Sequence, residues 1–279
     1  MKLIESSVQI IKEKDPYKMI ELAGRTCYKS EDKITEDSAK EFVDRMIKLG
    51  HGAMLEHGTV YLDLPNSAGD YDLVPFFASN KYSKINIVSL EDRVHNYITT
   101  NFRVLVENFT EDSISYILQY QCEPTEYHEK RITAKFICDR GVSHEFVRHR
   151  VFSFAQESTR YCNYSKDKFN NELTFIKPSW IGESIDSLNQ EFRDTDRDDT
   201  SIFIRALRNA EEEYFTLLNN GWKPQQARQV LPNATKTELV MTGFESDWEH
   251  FLSLRTSKNA HPDAQQLSLK LRELLYDEK

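Results

Sequence analysis

Apolar residues alternate along several short segments of the chain, and this alternation is typical of half-buried strands. The predicted strands lie near residues 8–11, 59–64, 132–138, 173–177 and 237–242. The second and third strands both alternate, and they are candidates for pairing with each other. Residues 65–70 are rich in turn formers, so a turn is predicted after the second strand.

Other segments carry apolar residues at helical spacing, and residues that commonly cap helices precede them. The predicted helices cover residues 16–25, 36–49, 89–106, 140–150, 201–219, 224–231, 247–255 and a last segment from 262, and Thr110 is predicted to cap another helix. Thr35 is the expected cap of the second helix, and Ser246 opens a capping-box pattern before 247–255. Residues 183–200 are charged and poor in apolar side chains, which predicts a mobile surface connection.

Composition indicates one large globular domain. A chain of 279 residues with 39% hydrophobic residues can bury a substantial core, and we expect a single domain, 1–279, with an inserted helical segment at about 66–130. The net charge of -9 argues against a nucleic-acid-binding protein, because such proteins need a broad basic surface. A small anionic ligand in a local arginine pocket remains compatible with this charge.

Cysteine usage and the N-terminal residues predict a cytoplasmic protein. The four cysteines are widely spaced and form no Cys-x-x-Cys pair, which argues against a zinc site and against a disulfide framework. Lysine and glutamate interrupt the apolar residues of segment 2–14, so no signal peptide is predicted. No apolar run approaches the length of a membrane span.

Residues 148–161 combine three arginines, a histidine and three aromatic residues, a mixture too polar for a core strand and too aromatic for a solvated loop. Asp139 is expected to cap a short helix whose last turn holds residues 148–150, where cations suit the helix dipole. Successive helical residues point about 100° apart, so these side chains converge only if the helix ends here. Ser158 and Arg160 are then expected to share a face of an extended segment.

This arginine pattern favours a bound anion, because the planar guanidinium group grips a phosphate or an ionised ring in a fixed orientation. For Arg-His-Arg alone, solvated cations at a helix end are the alternative. The longer pattern around Arg-His-Arg favours the bound anion over solvated cations. Arg148-His149-Arg150, seven further residues, Ser158 and then Arg160-Tyr161 resemble the signature of the flavin-dependent thymidylate synthases.

Other blocks resemble the same family in the same order. They are Gly50-His51 with Glu56-His57, then Ala227-Arg228-Gln229-Val230-Leu231-Pro232, and finally Phe251-Leu252-Ser253-Leu254-Arg255. The chain also departs from the family. Ala155-Gln156 stands where relatives commonly have Asn-Glu, so position 156 supplies no carboxylate, and Glu157 is the nearest replacement.

The resemblance implies an α+β fold, with a mixed β-sheet and flanking helices, and a homotetramer whose active sites use several subunits. It implies FAD as the cofactor, NADPH as its reductant and methylenetetrahydrofolate as the carbon donor in the reductive methylation of dUMP to dTMP. The nine glycines include no Gly-x-Gly-x-x-Gly. Flavin binding is therefore expected to come from side chains and from backbone outside a Rossmann fold.

The resemblance also assigns roles to positions in this chain. The predicted flavin-binding residues are Arg148, His149, Arg150, Gln156, His250, Phe244 and His51. The predicted nucleotide-binding residues are Glu145, Arg148, Gln156, Glu157, Ser158, Arg160, Arg228 and Arg255. Arg255 is also the predicted catalytic residue, which is expected to favour the ionised form of the uracil ring.

Two other functions compete with this interpretation. A non-catalytic nucleotide-binding module would use the same arginines without a tightly held flavin. A metal-dependent nucleotide hydrolase would use His51, His57, His144 and Asp139 as ligands, but their spacing matches no recognisable metal motif, and no metal site is predicted. The absorbance spectrum of the purified protein distinguishes the three functions.

Overall fold

The computed structural model describes residues 1–65, 73–90, 93–190 and 197–276. Within them the strands are β1 (Lys2–Ile4), β2 (Ser7–Ile11), β3 (Thr59–Pro65), β4 (Lys84–Leu90), β5 (Arg93–Asn101), β6 (Arg131–Asp139), β7 (Ser153–Gln156), β8 (Thr174–Ile176) and β9 (Lys236–Phe244).

Helices connect these strands and cover the sheets. They are α1 (Pro16–Tyr28), α2 (Ser38–Lys48), α3 (Gly52–Leu55), α4 (Leu73–Ser79), α5 (Phe102–Asn108), α6 (Glu111–Ile117), α7 (Arg140–Phe146), α8 (Ile185–Gln190), α9 (Asp199–Asn219), α10 (Pro224–Ala227), α11 (Glu245–Arg255) and α12 (Pro262–Tyr276). A short 3-10 turn, Arg228–Val230, follows α10.

The main sheet is antiparallel, with the strand order β2–β6–β9–β7. Its strand β9 is buried at every position after Lys236, because helices cover both faces. Val240 packs with Ala155 against Ala23 of α1 on one face. Leu239 and Met241 point to the other face, where α7, α11 and α12 complete a core rich in aromatic residues.

Aromatic rings join the sheet to α7 and α11. The ring of Phe251 lies 5.1 Å from the ring of Phe146 and 5.4 Å from that of Trp248, measured between centroids. The Phe152 ring packs 4.5 Å from the Trp248 ring, measured between centroids. It also lies against Gly243 of β9, where an added Cβ would be 2.4 Å from the Phe152 ring. This packing fixes the ends of α7 and α11 relative to each other.

A second sheet contains β3, β5 and β4 in that order, and a third pairs β1 with β8 in parallel. The predicted pairing of residues 59–64 with residues 132–138 is therefore wrong. The strand β3 pairs with β5, whereas β6 pairs with β2 and β9. Both predicted strands exist, but alternation along one strand does not identify its neighbour.

The predicted helix at residues 89–106 is also wrong. The segment contains the end of β4, the strand β5 and only then α5, which begins where the Asn101 side chain accepts the backbone N–H of Val104. The apolar positions of 94–98 fit both periods, and the following threonines favour a strand. The described part of segment 66–130, the predicted helical insertion, contains strands as well as helices. The turn predicted at 65–70 lies almost entirely outside the described residues.

Several predicted helix ends are shifted. Asp37, not Thr35, precedes α2, and the Thr35 backbone N–H instead donates to the Ser38 hydroxyl at 2.9 Å. The helix α11 begins at Glu245, before the predicted capping box, and the Asp247 carboxylate accepts the Phe244 backbone N–H at 3.3 Å. Residues 183–200 were predicted as a mobile surface connection, and their described part contains α8. The caps predicted at Asp139 and Thr110 are confirmed.

The signature segment differs from its prediction in two ways. The helix α7 ends at Phe146, so Arg148 and Arg150 lie beyond its last turn rather than inside it. The strand β7 ends at Gln156, and residues 157–160 leave the extended conformation and enter a turn. Ser158 and Arg160 therefore do not share a strand face.

The predicted α+β fold, a mixed set of sheets with flanking helices, is confirmed. The single-domain organisation with an insertion stays a prediction. In the part of the chain that the structure describes, no helix combines the length and the apolar character needed to cross a membrane.

Candidate active site

Arg255 ends α11 and contacts residues at the end of α7. Its Nε–H donates to Nε2 of His149 at 2.9 Å, and one terminal nitrogen donates to the carbonyl oxygen of Glu145 at 2.7 Å. The other terminal nitrogen pairs with the Glu145 carboxylate. These contacts to described residues fix the guanidinium plane and leave two of its five N–H donors for a ligand.

His149 accepts a hydrogen bond from Arg255 because its ring is neutral. Burial, together with the neighbouring cation of Arg255 and the His250 ring, lowers the pKa of His149 to about 4. The ring also packs 4.9 Å from that of Phe251. At neutral pH, Nε2 can therefore serve as an acceptor, and the aromatic core holds the ring in place.

Arg148 and Arg150 are both exposed, and neither makes a hydrogen bond or an ion pair to another described residue. His250 lies on the exposed side of α11. Two unpaired arginines that flank His149, the partner of Arg255, are suited to anions that come from solution.

Arg150 and Phe244 line a cleft of about 540 Å³, here called the Phe244 cleft. Its other lining residues include Glu56, Phe152, Ser153, Asp247, Arg131 and the segment 81–84. The volume lies within the range of small-molecule and cofactor sites. Cations around an aromatic ring fit a flavin dinucleotide, which carries a flat ring system and a diphosphate.

Gln156 is partly buried and Glu157 is buried, and neither residue lines the Phe244 cleft. The amide nitrogen of Gln156 donates to the hydroxyls of Ser143 at 2.8 Å and Thr237 at 3.2 Å. The Glu157 side chain is buried and accepts from the Tyr164 hydroxyl at 2.9 Å and from Lys236 at 2.8 Å. Both residues connect the signature segment to β9, and their contacts with ligands stay predictions.

Ser158 lies against the end of α1, where its backbone N–H donates to the Cys27 carbonyl oxygen at 3.0 Å. The ring of Tyr161 packs 5.5 Å from that of Tyr28. The Tyr28 hydroxyl lies 3.1 Å from Nδ1 of His51. The structure thus brings His51 to the signature segment through Tyr28, and not to the residues that line the Phe244 cleft.

Arg160 and Arg228 come together through α10 and the turn that follows it. Arg228 donates to the Thr159 hydroxyl at 3.3 Å, and Arg160 donates to the side-chain oxygen of Gln225 at 3.3 Å. Two blocks that lie 69 residues apart in sequence are therefore neighbours in space.

The structure shows charged contacts that the sequence did not predict. Lys29, Lys135 and Lys236 surround Glu238, and they hold the pKa of this carboxyl below its usual range although burial alone would raise it. The alternation of Lys236 and Glu238 inside an apolar strand was an available signal for this network. The position of Arg131 in the Phe244 cleft depends on its pairing opposite Phe244, which the sequence did not predict.

The residues of the metal-hydrolase alternative lie on different elements and have other partners. Nδ1 of His57 lies 2.8 Å from the Thr242 hydroxyl, and the Asp139 carboxylate accepts the Val142 N–H at 2.8 Å. His51 contacts Tyr28. The described residues contain no group of three potential ligands that could hold a metal ion.

A family model described as thymidylate synthase complementing protein matches residues 67–278. The chain belongs to this family. The match covers the signature and both later blocks. In the structure Arg228 contacts Thr159, and Arg255 contacts Glu145 and His149. The predicted family is confirmed, and with it the predicted class of FAD-dependent thymidylate synthases.

The chain is similar to several proteins named flavin-dependent thymidylate synthase. The protein from Corynebacterium aurimucosum is 25% identical over 265 residues, which cover 93% of this chain and 76% of that protein. The protein from Pyrococcus furiosus is 29% identical over 63% of this chain and 66% of its own length. The protein from Corynebacterium efficiens is 37% identical, but this chain spans only 47% of its length.

A solved structure of a UMP/dUMP methylase, PolB from Streptomyces cacaoi with bound 5-Br dUMP, aligns over 99% of this chain and 93% of that one. The TM-score is 0.45 and the sequence identity is 17%.

Proposed function

We propose that the protein catalyses the reductive methylation of dUMP to dTMP, with methylenetetrahydrofolate as the carbon donor and NADPH as the reductant of FAD. One observation carries the proposal. Arg255 is held by Glu145 and His149, which lie about a hundred residues earlier in the chain, beside the unpaired cations of Arg148 and Arg150. This contact between two separate family blocks supports one shared cationic site.

Bound flavin, once reduced by NADPH, would supply the hydride, and the protein supplies binding and orientation. In this proposal Arg148, Arg150, His149, His250 and Phe244 contact the cofactor, with Gln156 and His51 at its border. Ser158, Arg160 and Arg228 bind the nucleotide, because their segments pack together through Thr159 and Gln225. Glu157 supports Ser158 from within through its contacts to Tyr164 and Lys236.

Arg255 has the catalytic role in this proposal. If no enzyme nucleophile adds to the uracil ring, the ring itself must become electron-rich before it attacks the carbon donor. The two free N–H donors of Arg255 stabilise the negative charge that develops on the pyrimidine. Glu145 neutralises part of the arginine's charge and aligns its plane, so the donors are oriented before the substrate binds.

The assembly belongs to the same proposal. We expect a homotetramer that shares active sites between subunits and works in the cytoplasm. The exposed positions of Arg148, Arg150 and His250 support shared sites, because a neighbouring subunit can complete a site that faces outward. The proposal is tested by incubating the purified protein with dUMP, methylenetetrahydrofolate, FAD and NADPH and separating the nucleotides by chromatography. Formation of dTMP is expected, and its absence contradicts the proposal.

Replacing either exposed arginine should weaken cofactor binding. Hydrogen bonds to charged groups contribute about 1.5–3 kcal/mol, so Arg148→Ala and Arg150→Ala should each lower FAD affinity by about tenfold or more. The measurement is the quenching of flavin fluorescence during titration. Arg272→Ala removes an exposed arginine of α12 and is the matched control. Full FAD affinity in both Arg148→Ala and Arg150→Ala would remove the signature arginines from the cofactor site.

Ser158 should act as a nucleotide contact and not as a covalent nucleophile. A nucleophilic serine needs a positioned base, and the nearby histidine of the signature, His149, is bonded to Arg255. Ser158→Ala should therefore raise the KM for dUMP and lower turnover without abolishing it. Mass spectrometry of the enzyme during turnover should show no nucleotide adduct. A trapped adduct on Ser158 would overturn this role.

A further inference from the structure

Part of the Phe244 cleft is built by the segment 81–84, which belongs to the predicted insertion. Lys81, Tyr82 and Lys84 line the cleft together with Arg150 and Phe244. Lys84 begins β4, opposite Thr99 of β5, so the second sheet carries this wall. Nothing in the signature or in the later family blocks includes these residues.

The described lining of the cleft carries more positive than negative charge. Its cations are Lys81, Lys84, Arg131 and Arg150, and its carboxylates are Glu56 and Asp247. The carboxylate of Glu56 is already paired with Arg103 at 2.6 Å. The ammonium of Lys84 lies 3.9 Å from the Glu129 carboxylate, which is a long and partly exposed pair. The excess charge favours an anionic occupant.

Two of these cations lie next to the ring of Phe244. The Lys84 ammonium lies 5.5 Å and the Arg131 guanidinium lies 5.6 Å from its centroid. Such cation–π contacts hold both groups at the wall of the cleft without neutralising them. Phe244 therefore positions cations as well as presenting an aromatic surface.

The turn that carries Lys81 has a defined conformation. The Tyr82 backbone N–H donates to the Asn80 side-chain oxygen at 2.9 Å, and the buried Ser83 hydroxyl lies 2.8 Å from that of Thr100. A turn fixed in this way loses less conformational entropy when its lysine binds a ligand.

Arg131 also lines the Phe244 cleft, and not all of its N–H donors have hydrogen-bond partners among the described residues. Its terminal nitrogens donate to the Glu56 carbonyl oxygen at 2.9 Å and to the hydroxyls of Thr59 and Ser153 at 3.2 Å. Its Nε has no partner among the described residues. Burial lowers the pKa of Arg131 to about 10, which leaves it charged at neutral pH. A buried cation without a paired carboxylate is stabilised by a bound anion.

We propose that Lys81 and Lys84, together with Arg131, bind the diphosphate of the flavin dinucleotide in the Phe244 cleft. The inference rests on the proposed function, because it needs FAD as the occupant. The sequence contains no glycine-rich phosphate loop, and side-chain cations are suited to bind the phosphate oxygens in its place. Two lysines and one arginine provide the donors, and Arg150 and Phe244 remain for the rest of the cofactor.

The test compares flavins with and without the diphosphate. Flavin is removed from the purified protein, circular dichroism checks that it stays folded, and the protein is titrated with FAD and with riboflavin. The double variant Lys81→Gln, Lys84→Gln should lose about tenfold in FAD affinity per lysine, about a hundredfold in total, and keep its riboflavin affinity. The salt dependence of FAD binding should weaken in parallel. The variant Lys81→Arg, Lys84→Arg should keep most of the FAD affinity.

The control is Lys40→Gln, Lys48→Gln, which removes two exposed lysines of α2 and should change neither affinity. Unchanged FAD affinity in Lys81→Gln, Lys84→Gln overturns the inference and leaves the proposed function intact. Equal losses for FAD and riboflavin also overturn it, because the lysines then do not act on the diphosphate. If only the KM for NADPH rises, the lysines bind the nicotinamide dinucleotide instead. A wild-type protein that binds no flavin contradicts the proposed function itself.

Discussion

Arg255→Lys should form dTMP about a hundredfold more slowly than the wild-type protein while its flavin is still reduced by NADPH. The loss of one preorganised donor at developing charge typically costs about 3 kcal/mol. The structure supplies the reason for this case. The planar guanidinium of Arg255 donates hydrogen bonds to His149 Nε2 and to the carbonyl and carboxylate oxygens of Glu145. Two of its five N–H donors remain for the substrate. A lysine ammonium keeps the charge but cannot reproduce this fork.

The measurement is a single turnover from pre-reduced enzyme with saturating dUMP and methylenetetrahydrofolate, and the rate of flavin reduction is recorded separately. Arg272→Lys makes the same chemical change on the exposed side of α12 and should leave both rates unchanged. Near-normal dTMP formation by Arg255→Lys and Arg255→Ala would remove Arg255 from catalysis. Equal losses in both steps would reduce it to a structural or general binding residue.

Phe251→Ala should be the most destabilising single change near the site. Its side chain is fully buried and packs against Phe146, Trp248, Phe152 and the His149 ring. Removal of a buried phenyl group costs about 3–5 kcal/mol, because burial is lost and a cavity remains. Since Phe251 joins α11 to α7, the change also loosens the contact that orients Arg255.

Urea denaturation followed by circular dichroism measures this loss in the free energy of unfolding. Phe251→Leu keeps most of the apolar volume and should lose clearly less stability. Glu249→Ala on the exposed side of the same helix should stay within about 0.5 kcal/mol of the wild type. An unfolding free energy for Phe251→Ala close to that of Glu249→Ala would show that the aromatic core does not hold the site.

The sequence predicted the strands and helices with strong local signals. Asp139 capped α7 as expected, because a cap depends on a side chain and a backbone N–H three residues away. Prediction from the sequence failed at residues 89–106, where Val94, Tyr97 and Ile98 fit both a helical and a strand period. It also paired β3 with the wrong strand, because register and neighbours depend on contacts that are distant in sequence.

For the candidate site too, local patterns could be predicted from the sequence and contacts between distant residues could not. The signature predicted Arg148 and Arg150, and the last family block predicted Arg255, since each is a residue type suited to an anion at a recognisable position. The sequence could not indicate that Glu157 is buried against Lys236, or that the Lys84 ammonium lies over the Phe244 ring. Both arrangements arise from packing between elements that lie far apart along the chain.

The absorbance spectrum of the purified protein tests the central claim most directly. With FAD bound, the account predicts flavin absorption bands that bleach when NADPH is added without oxygen. The bands should return when dUMP and methylenetetrahydrofolate follow, with formation of dTMP. A colourless protein that does not bind added FAD would contradict the account, and so would bound flavin that NADPH reduces but that dUMP and methylenetetrahydrofolate never reoxidise.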